Sequence, residues 1–308
     1  MIIDAHLHIT DGFHGCTGTG ATTSLNYGRV QQGNAQLQLL PPFNPGPTVF
    51  PPETVLRLMD LAGVDAAVLL QGSFYGDHNR YLYQAAKRWP DRLIPAGYLD
   101  PCAKDARDQF HRITDEYGFR ILKFEMTQPA GFTGVYPDLR LDGSEMLWIW
   151  EEAERRGLVV TLDLGKGRTP AYQTDAVQKI LELHPTLTVV IAHLAQPALA
   201  NPLDKELDRL WEQQILLGRH ANVWFDTSAL PAYCDEDYPF KSARRYLERA
   251  AKLIGADKLM WGTDIPGLLG QATYEQLLNM IRCHTEFTPA ELDGLLGGTA
   301  KHVYLKER

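Results

Sequence analysis

Ser144-Glu145-Met146-Leu147-Trp148-Ile149-Trp150-Glu151-Glu152-Ala153-Glu154-Arg155-Arg156-Gly157 runs directly into Leu158-Val159-Val160-Thr161-Leu162-Asp163-Leu164-Gly165. The first half reads as a helix: an apolar stripe, a charged last turn and a glycine that ends it. The second half is a short, nearly continuous apolar run rich in β-branched residues, the composition of a strand buried on both faces of a parallel sheet. Only Gly157 separates them. Working outward, the same alternation recurs about eight times. Strands are expected at 2–8, 65–71, 93–99, 120–125, 158–164, 187–193, 221–227 and 258–263, and helices at 52–62, 78–89, 103–117, 143–156, 172–184, 203–218, 240–254 and 273–284. No low-complexity stretch or linker divides the series, so residues 1–308 are expected to form a single domain. Eight β-then-α units predict an α/β fold, the (β/α)8 TIM barrel.

The connections favour the barrel over an open doubly wound sheet. Helix-to-strand links are short, as in Ala62-Gly63-Val64, Pro90-Asp91-Arg92 and Pro185-Thr186. Strand-to-helix links vary, and three are long: 9–50, 126–142 and 228–239. In a barrel these all emerge on one face, where barrel enzymes carry their chemistry. The 9–50 insertion, rich in Gly, Thr, Asn, Gln and Pro, is long for a structureless loop. It reads either as a lid over a pocket or as a dimer-contact arm, the second making the chain a homo-oligomer.

Composition narrows the function. Hydrophobic residues make up 44% and charged residues 22%, the profile of an ordinary soluble globular protein. The net charge of −8, with no basic block to offset it, argues against nucleic acid or an anionic membrane surface as partner. No apolar run is long enough to span a bilayer, and no secretory signal precedes the first strand. Cys16, Cys102, Cys234 and Cys283 form no Cys-x-x-Cys pair and read as reduced thiols of a cytoplasmic protein.

Polar residues cluster where strands end. Met1-Ile2-Ile3-Asp4-Ala5-His6-Leu7-His8-Ile9 alternates, so Asp4, His6 and His8 are expected on one face and both imidazoles project together. Strand four ends with Lys123 and Glu125, strand five with Asp163, strand six with His193, and strand eight with Asp264. Each has an ordinary structural reading. Asp264 and Asp163 would serve as caps, Lys123 and Glu125 as an ion pair, and His193 as a satisfied core histidine. Three histidines and two aspartates at strand C-terminal ends of one barrel are a different matter, because buried charge needs partners, a metal or solvent. Imidazole and carboxylate donors suit zinc, manganese or iron(II), and an open position on such an ion holds a water of lowered pKa. Asp264 would accept that water's proton, and His193 would act as ligand, acid/base or oxyanion donor.

With these elements in order, the chain resembles the amidohydrolase superfamily, in particular its amidohydrolase-2 branch, which includes aminocarboxymuconate-semialdehyde decarboxylase. The matching stretches are Ile3-Asp4-Ala5-His6-Leu7-His8, Gly118-Phe119-Arg120-Ile121-Leu122-Lys123-Phe124, Ala192-His193, Asn222-Val223-Trp224-Phe225-Asp226-Thr227-Ser228 and Trp261-Gly262-Thr263-Asp264-Ile265-Pro266. The tail Gly297-Gly298-Thr299-Ala300-Lys301 is similar to the family's Gly-Asn-Ala ending. The resemblance implies a distorted barrel with one divalent metal ion. His6, His8 and Asp264 would be ligands, and His193 catalytic or metal-binding. It also exposes a departure: Asp163 stands where the family carries a strand-five histidine. A carboxylate there favours a harder ion, so zinc or manganese is expected with Asp163 as a fourth ligand, or weak metal binding.

The branch contains hydrolases, decarboxylases and hydratases, so fold and metal do not select the reaction. The leading expectation is a metal-dependent hydrolase of an amide, ester or lactone bond in a small carboxylated or cyclic substrate. The runner-up is a metal-dependent non-oxidative decarboxylase of an unsaturated or aromatic acid; behind these come a metal-independent lactonase and a non-catalytic barrel. Lys123, Glu125, Arg168 and Tyr136 are candidate substrate contacts, with Arg29 and Lys166 also candidates for an acidic group. His14, His78, His111, His184, His220, His284 and His302 match no motif and are expected at the surface or in the core.

Overall fold

The computed structural model describes residues 1–201, 203–284 and 286–305. Its main sheet has eight strands in sequence order: β1 (Ile3–Leu7), β2 (Ala66–Leu69), β3 (Leu93–Tyr98), β4 (Ile121–Glu125), β5 (Val159–Asp163), β6 (Thr188–Ile191), β7 (Val223–Asp226) and β8 (Leu259–Met260). All neighbouring strands run parallel. The Ala5 amide donates to the Trp261 carbonyl at 2.9 Å and the Thr263 amide to the His6 carbonyl at 3.1 Å, which brings the last strand back to the first. The fold is the expected (β/α)8 barrel.

Most helices lie within two residues of their expected bounds, among them Pro52–Ala62, Asn79–Arg88, Ser144–Arg156, Thr174–Leu183 and Lys241–Ile254. Gly157 ends its helix in the left-handed region, φ 60°, where a residue without a Cβ pays no steric cost. Two long expected helices change character before they end. The 103–117 segment is an α-helix over Ala106–His111 and then a π-helical turn over Arg112–Glu116, while 203–218 is an α-helix over Lys205–Ile215 and then a 3-10 turn. No helix among the described residues is long and apolar enough to cross a membrane.

Every strand sends at least one residue into the barrel interior: Ile3, Ala5, Val68, Ala96, Ile121, Val159, Val190, Trp224 and Met260. Val303 and Tyr304, from a C-terminal helix over Thr299–Tyr304, pack into the same cluster and plug its lower end. This helix and its neighbour Pro289–Asp293 have no counterpart in the sequence reading. The strict alternation expected for β1 also fails. Its pairing with β2 slips between Asp4 and Leu7, so Ile3 and Ala5 point inward while Leu7 and Ile9 pack with the outer cluster under the helices. A slip of one residue exchanges the two faces of a strand. Asp4 therefore faces the helices, accepting from Thr263 Oγ1 at 2.6 Å and Tyr274 Oη at 3.1 Å, and it does not share a face with His6 and His8.

The 9–50 insertion is not structureless. It folds into a four-stranded antiparallel sheet over Cys16–Thr17, Gly20–Ser24, Arg29–Gln32 and Ala35–Gln38. Its strands are polar, so they carry no apolar periodicity to read. What organises them is turn chemistry, with Tyr27 and Gly28 at φ 61° and 73°. The sheet docks on the loops above the barrel: Thr22 Oγ1 donates to the Phe74 carbonyl at 2.8 Å, and the Gly18 amide to the Pro129 carbonyl at 2.9 Å.

Candidate active site

The strand ends bring His6, His8, Lys123, Glu125, Asp163, His193 and Asp264 to one rim, as expected. Asp264 Oδ1 lies 2.9 Å from His8 Nε2 and 3.7 Å from His6 Nε2. His6, His193 and Asp264 each offer a donor atom within 4.8 Å of the others. The Nδ1 atom of each histidine is engaged from outside this space. His6 Nδ1 meets Asp226 Oδ2 at 3.0 Å, His8 Nδ1 donates to the Leu70 carbonyl at 2.7 Å, and His193 Nδ1 meets Ser228 Oγ at 2.8 Å. Protons fixed on the Nδ1 atoms leave the Nε2 lone pairs of His6 and His8 facing inward, the tautomer and orientation of metal-ligating imidazoles.

The donor set fits a divalent ion. At His8 the Nδ1 proton is given to a carbonyl, so an Nε2 lone pair and a carboxylate oxygen face each other across 2.9 Å. Two acceptors at that distance repel unless a cation or proton lies between them. Burial lowers the affinity of His8 for a proton, against the pull of Asp264. Burial and the Lys123 charge likewise push His6 down to about 4. Asp264 is held well below the usual carboxylate range: burial works against its charge, but its contact with His8 and the charge of His193 outweigh it.

Asp163, expected as a fourth ligand, lies against His193. Its Oδ2 lies 3.3 Å from His193 Nε2, and its Oδ1 accepts from the Gly165 amide at 3.1 Å. Burial opposes charge on His193, but Asp163, with Asp264 and Asp226 behind it, raises His193 to about 9. The strand-five carboxylate thus serves His193. Lys123, buried at 3% exposure, places its Nζ 3.2 Å from His6 Nε2. Glu125 accepts from Thr127 Oγ1 at 2.9 Å, and its Oε2 fills the space that a Cβ on Gly72 would occupy, 1.7 Å away. Burial raises its pKa, with Lys123 opposing.

Two expected substrate contacts have other partners. Arg168 sends both arms of its guanidinium to Asp204 and Glu206, each at 2.7 Å, in a surface ion pair. Tyr136 donates to Asp100 Oδ2 at 2.9 Å. Conversely, the sequence reading gave no role to Asp226, although it lay in a quoted stretch. Wholly buried, its carboxylate accepts from His6 Nδ1, the amides of His193 and Ser228, and Ser228 Oγ, so it orients two of the three histidines. Burial works against its charge, but His6 and His193 hold it far below the usual range. The signal available was an aspartate ending an apolar strand, the same signal that marked Asp163. Tyr75, stacked on His8 with ring centroids 4.4 Å apart, and Tyr233, 6.3 Å from His193, wall the site.

No curated protein matches the chain by sequence. Solved structures match its fold. An amidohydrolase from Burkholderia multivorans with bound HEPES is 19% identical over 100% of both chains, with a TM-score of 0.74. A second crystal form of that protein, with bound zinc, is 20% identical over 84% of this chain and 89% of that one, at 0.70. An Acinetobacter baumannii protein described as a probable 2-pyrone-4,6-dicarboxylic acid hydrolase, with citric acid bound, is 15% identical over 99% of both chains, also at 0.70. The 5-carboxyvanillate decarboxylase of Sphingomonas paucimobilis is 14% identical over 82% of both, at 0.54. The amidohydrolase family model matches residues 3–305, nearly the whole chain, and the strand-end cluster lies where a barrel enzyme carries its chemistry. The chain belongs to the amidohydrolase family of enzymes.

Proposed function

We propose that this enzyme hydrolyses an ester, lactone or amide bond in a small carboxylated organic molecule. The observation that carries the reading is the pairing of an ionised base with a charged donor across one space. Asp264 is held ionised and partly exposed at the rim, its side chain 23% accessible, and His193, raised to about 9 with Asp163 beside it, has a ring nitrogen within 4.8 Å of it. His6, His8 and Asp264 would hold a divalent ion, whose chemistry when bound is Lewis acidity toward a carbonyl or a water.

The chain's own residues do the rest. The water oxygen bonds to the carbonyl carbon as its proton passes to Asp264. His193 donates a hydrogen bond to the oxygen on which charge develops. The C–O or C–N bond then breaks, and the leaving atom takes the proton from Asp264. Lys123 offers an ammonium for a substrate carboxylate. Tyr233, whose ring lies 6.3 Å from that of His193, also lines a cavity of about 180 Å³ with Lys166, Gln196 and Trp211, which would bring a second cation near the rim.

The test is turnover of a panel of small carboxylated lactones, esters and amides in H₂¹⁸O, with Asp264→Asn as control. One ¹⁸O atom per product and a loss of at least about a hundredfold in the variant are expected, the scale on which a positioned base contributes. Release of CO₂ from hydroxylated aromatic acids without ¹⁸O uptake would replace this reading with the decarboxylase.

A further inference from the structure

Lys123 turns away from the carboxylate closest to it in sequence. It stands two residues before Glu125 on β4, so both side chains leave the strand on one face. Glu125 has an oxygen to spare, because its Oε1 accepts from Thr127 Oγ1 and no donor among the described residues reaches its Oε2. Lys123 nevertheless forms no ion pair among the described residues. Its Nζ lies 3.2 Å from His6 Nε2, with the lysine 3% and the histidine 0% exposed. His6 can accept there because Asp226 Oδ2, 3.0 Å from Nδ1, keeps the ring proton on that side. A neutral imidazole then has one lone pair, at Nε2, and the ammonium donates to it. The charge reaches beyond His6. Burial lowers the proton affinity of both His6 and His8, and Lys123 adds to the effect in each.

That lone pair serves one partner at a time. A hydrogen bond from an ammonium and a bond to a divalent ion both use it, so an ion held by His6 displaces Lys123. We propose that Lys123 is a built-in competitor for the ion: it holds His6 Nε2 in the metal-free protein and moves to the open oxygen of Glu125 when an ion takes that nitrogen. The proposal rests on the reading of His6, His8 and Asp264 as metal ligands. The move is short, because a flexible four-carbon stem carries the ammonium between two partners on one face of the strand. Its destination is prepared: burial disfavours charge on Glu125, and Lys123 is the strongest influence opposing that. The metal-free rim also needs a cation, since Asp163 and Asp226 are buried carboxylates whose charge calls for compensation. Lys123 therefore sets the metal affinity of this chain from within. Removing it strengthens binding, where removing a ligand weakens it.

The experiment is a calorimetric zinc titration of the full-length chain stripped with chelator, comparing wild type, Lys123→Met, Glu125→Gln and the double variant. Far-ultraviolet circular dichroism of the stripped proteins checks the fold, and Lys123→Gln, which drops the charge but keeps a polar end, replaces a Lys123→Met chain that does not fold. Lys123→Met is expected to bind zinc at least about tenfold more tightly, because competition and the repulsion between charges a few ångströms apart are both removed. A lysine that merely shaped the rim would weaken binding when removed. Glu125→Gln is expected to weaken binding at least about threefold in the wild-type background and by less than about twofold beside Lys123→Met, because its effect runs through the lysine. A folded Lys123→Met chain with zinc affinity equal to or below that of wild type would overturn the proposal while leaving the metal site standing. An equal loss from Glu125→Gln in both backgrounds would overturn the move to Glu125. Zinc absent from both wild type and Lys123→Met, by elemental analysis after dialysis, would overturn the metal-site reading and the proposal with it.

Discussion

Single atoms decide how this site works, and Asp226 is the clearest case. It is wholly buried, and its two oxygens hold the Nδ1 face of His6 and the backbone of His193. In Asp226→Asn one oxygen becomes an amide donor, so a donor opposes either the His6 Nδ1 proton or the amides of His193 and Ser228. Partners of this kind orient the ligand and raise its basicity, and their loss typically weakens metal binding by about 10–100-fold. The expected outcome is a weakening of zinc affinity on that scale in a calorimetric titration, with the circular dichroism spectrum unchanged. An affinity within about twofold of wild type would remove Asp226 from the orienting role. Gly72 makes a second point at this scale. Its missing Cβ is the space Glu125 uses, so Gly72→Ala must displace a buried carboxylate. Overpacking of this kind costs about 1–3 kcal/mol. Adding Glu125→Ala should recover most of the loss in a urea-denaturation cycle, because the two substitutions share one space. Additive losses would mean that Glu125 does not fill it.

Elements were legible where periodicity writes them and illegible where it does not. The Ser144–Arg156 helix and the run into Asp163 could be read to within a residue, because an amphipathic stripe, a terminating glycine and a β-branched run all agree. The slip in β1 could not be read: it changes hydrogen-bond register without changing the apolar pattern, so Asp4 and His6 looked like neighbours on one face. The insertion sheet, built from Thr and Gln strands on polar turns, offered no pattern at all. His193 was found as a residue but misplaced as an element. β6 stops at Ile191, and His193, Leu194, Ala195 and Gln196 follow with φ of 59°, 50°, 57° and 46°. A left-handed conformation costs a residue with a Cβ about 1–2 kcal/mol, so four in succession persist only under tertiary restraint. The restraints are side-chain donors to carbonyls of the turn: Trp211 Nε1 to Leu194 at 2.8 Å and Tyr172 Oη to Ala195 at 3.2 Å. Tyr172→Phe removes one of these without changing the ring. A loss of about 1 kcal/mol is expected in denaturant unfolding, with faster amide exchange confined to residues 193–196. Unchanged exchange there would show that the Tyr172 hydroxyl does not hold the turn.

At the scale of the whole molecule the barrel separates chemistry from stability along its own axis. Strand C-terminal ends carry the histidines and carboxylates, and the opposite end is closed by the helix over Thr299–Tyr304, which the eight-unit reading had no reason to include. Tyr304 is the larger part of that plug. It is 7% exposed and lies in one cluster with Ile3, Val68, Ile121 and Val190, with its hydroxyl 3.4 Å from Thr161 Oγ1. Truncating a buried aromatic to alanine removes its transfer free energy and leaves a cavity, together about 3–5 kcal/mol. Tyr304→Ala is therefore expected to lower unfolding stability by about that amount, while zinc affinity at the rim stays within about twofold of wild type. Asp226→Asn is expected to do the reverse; its charge acts on the Tyr304 hydroxyl, but the two side chains share no hydrogen-bond partner, so their effects are expected to add. The double variant should then show the full stability loss of one change and the full affinity loss of the other. A Tyr304→Ala protein that folds but binds zinc many-fold more weakly would mean that the plug helps to set the spacing of the strand ends, and that the barrel transmits strain from its floor to its rim.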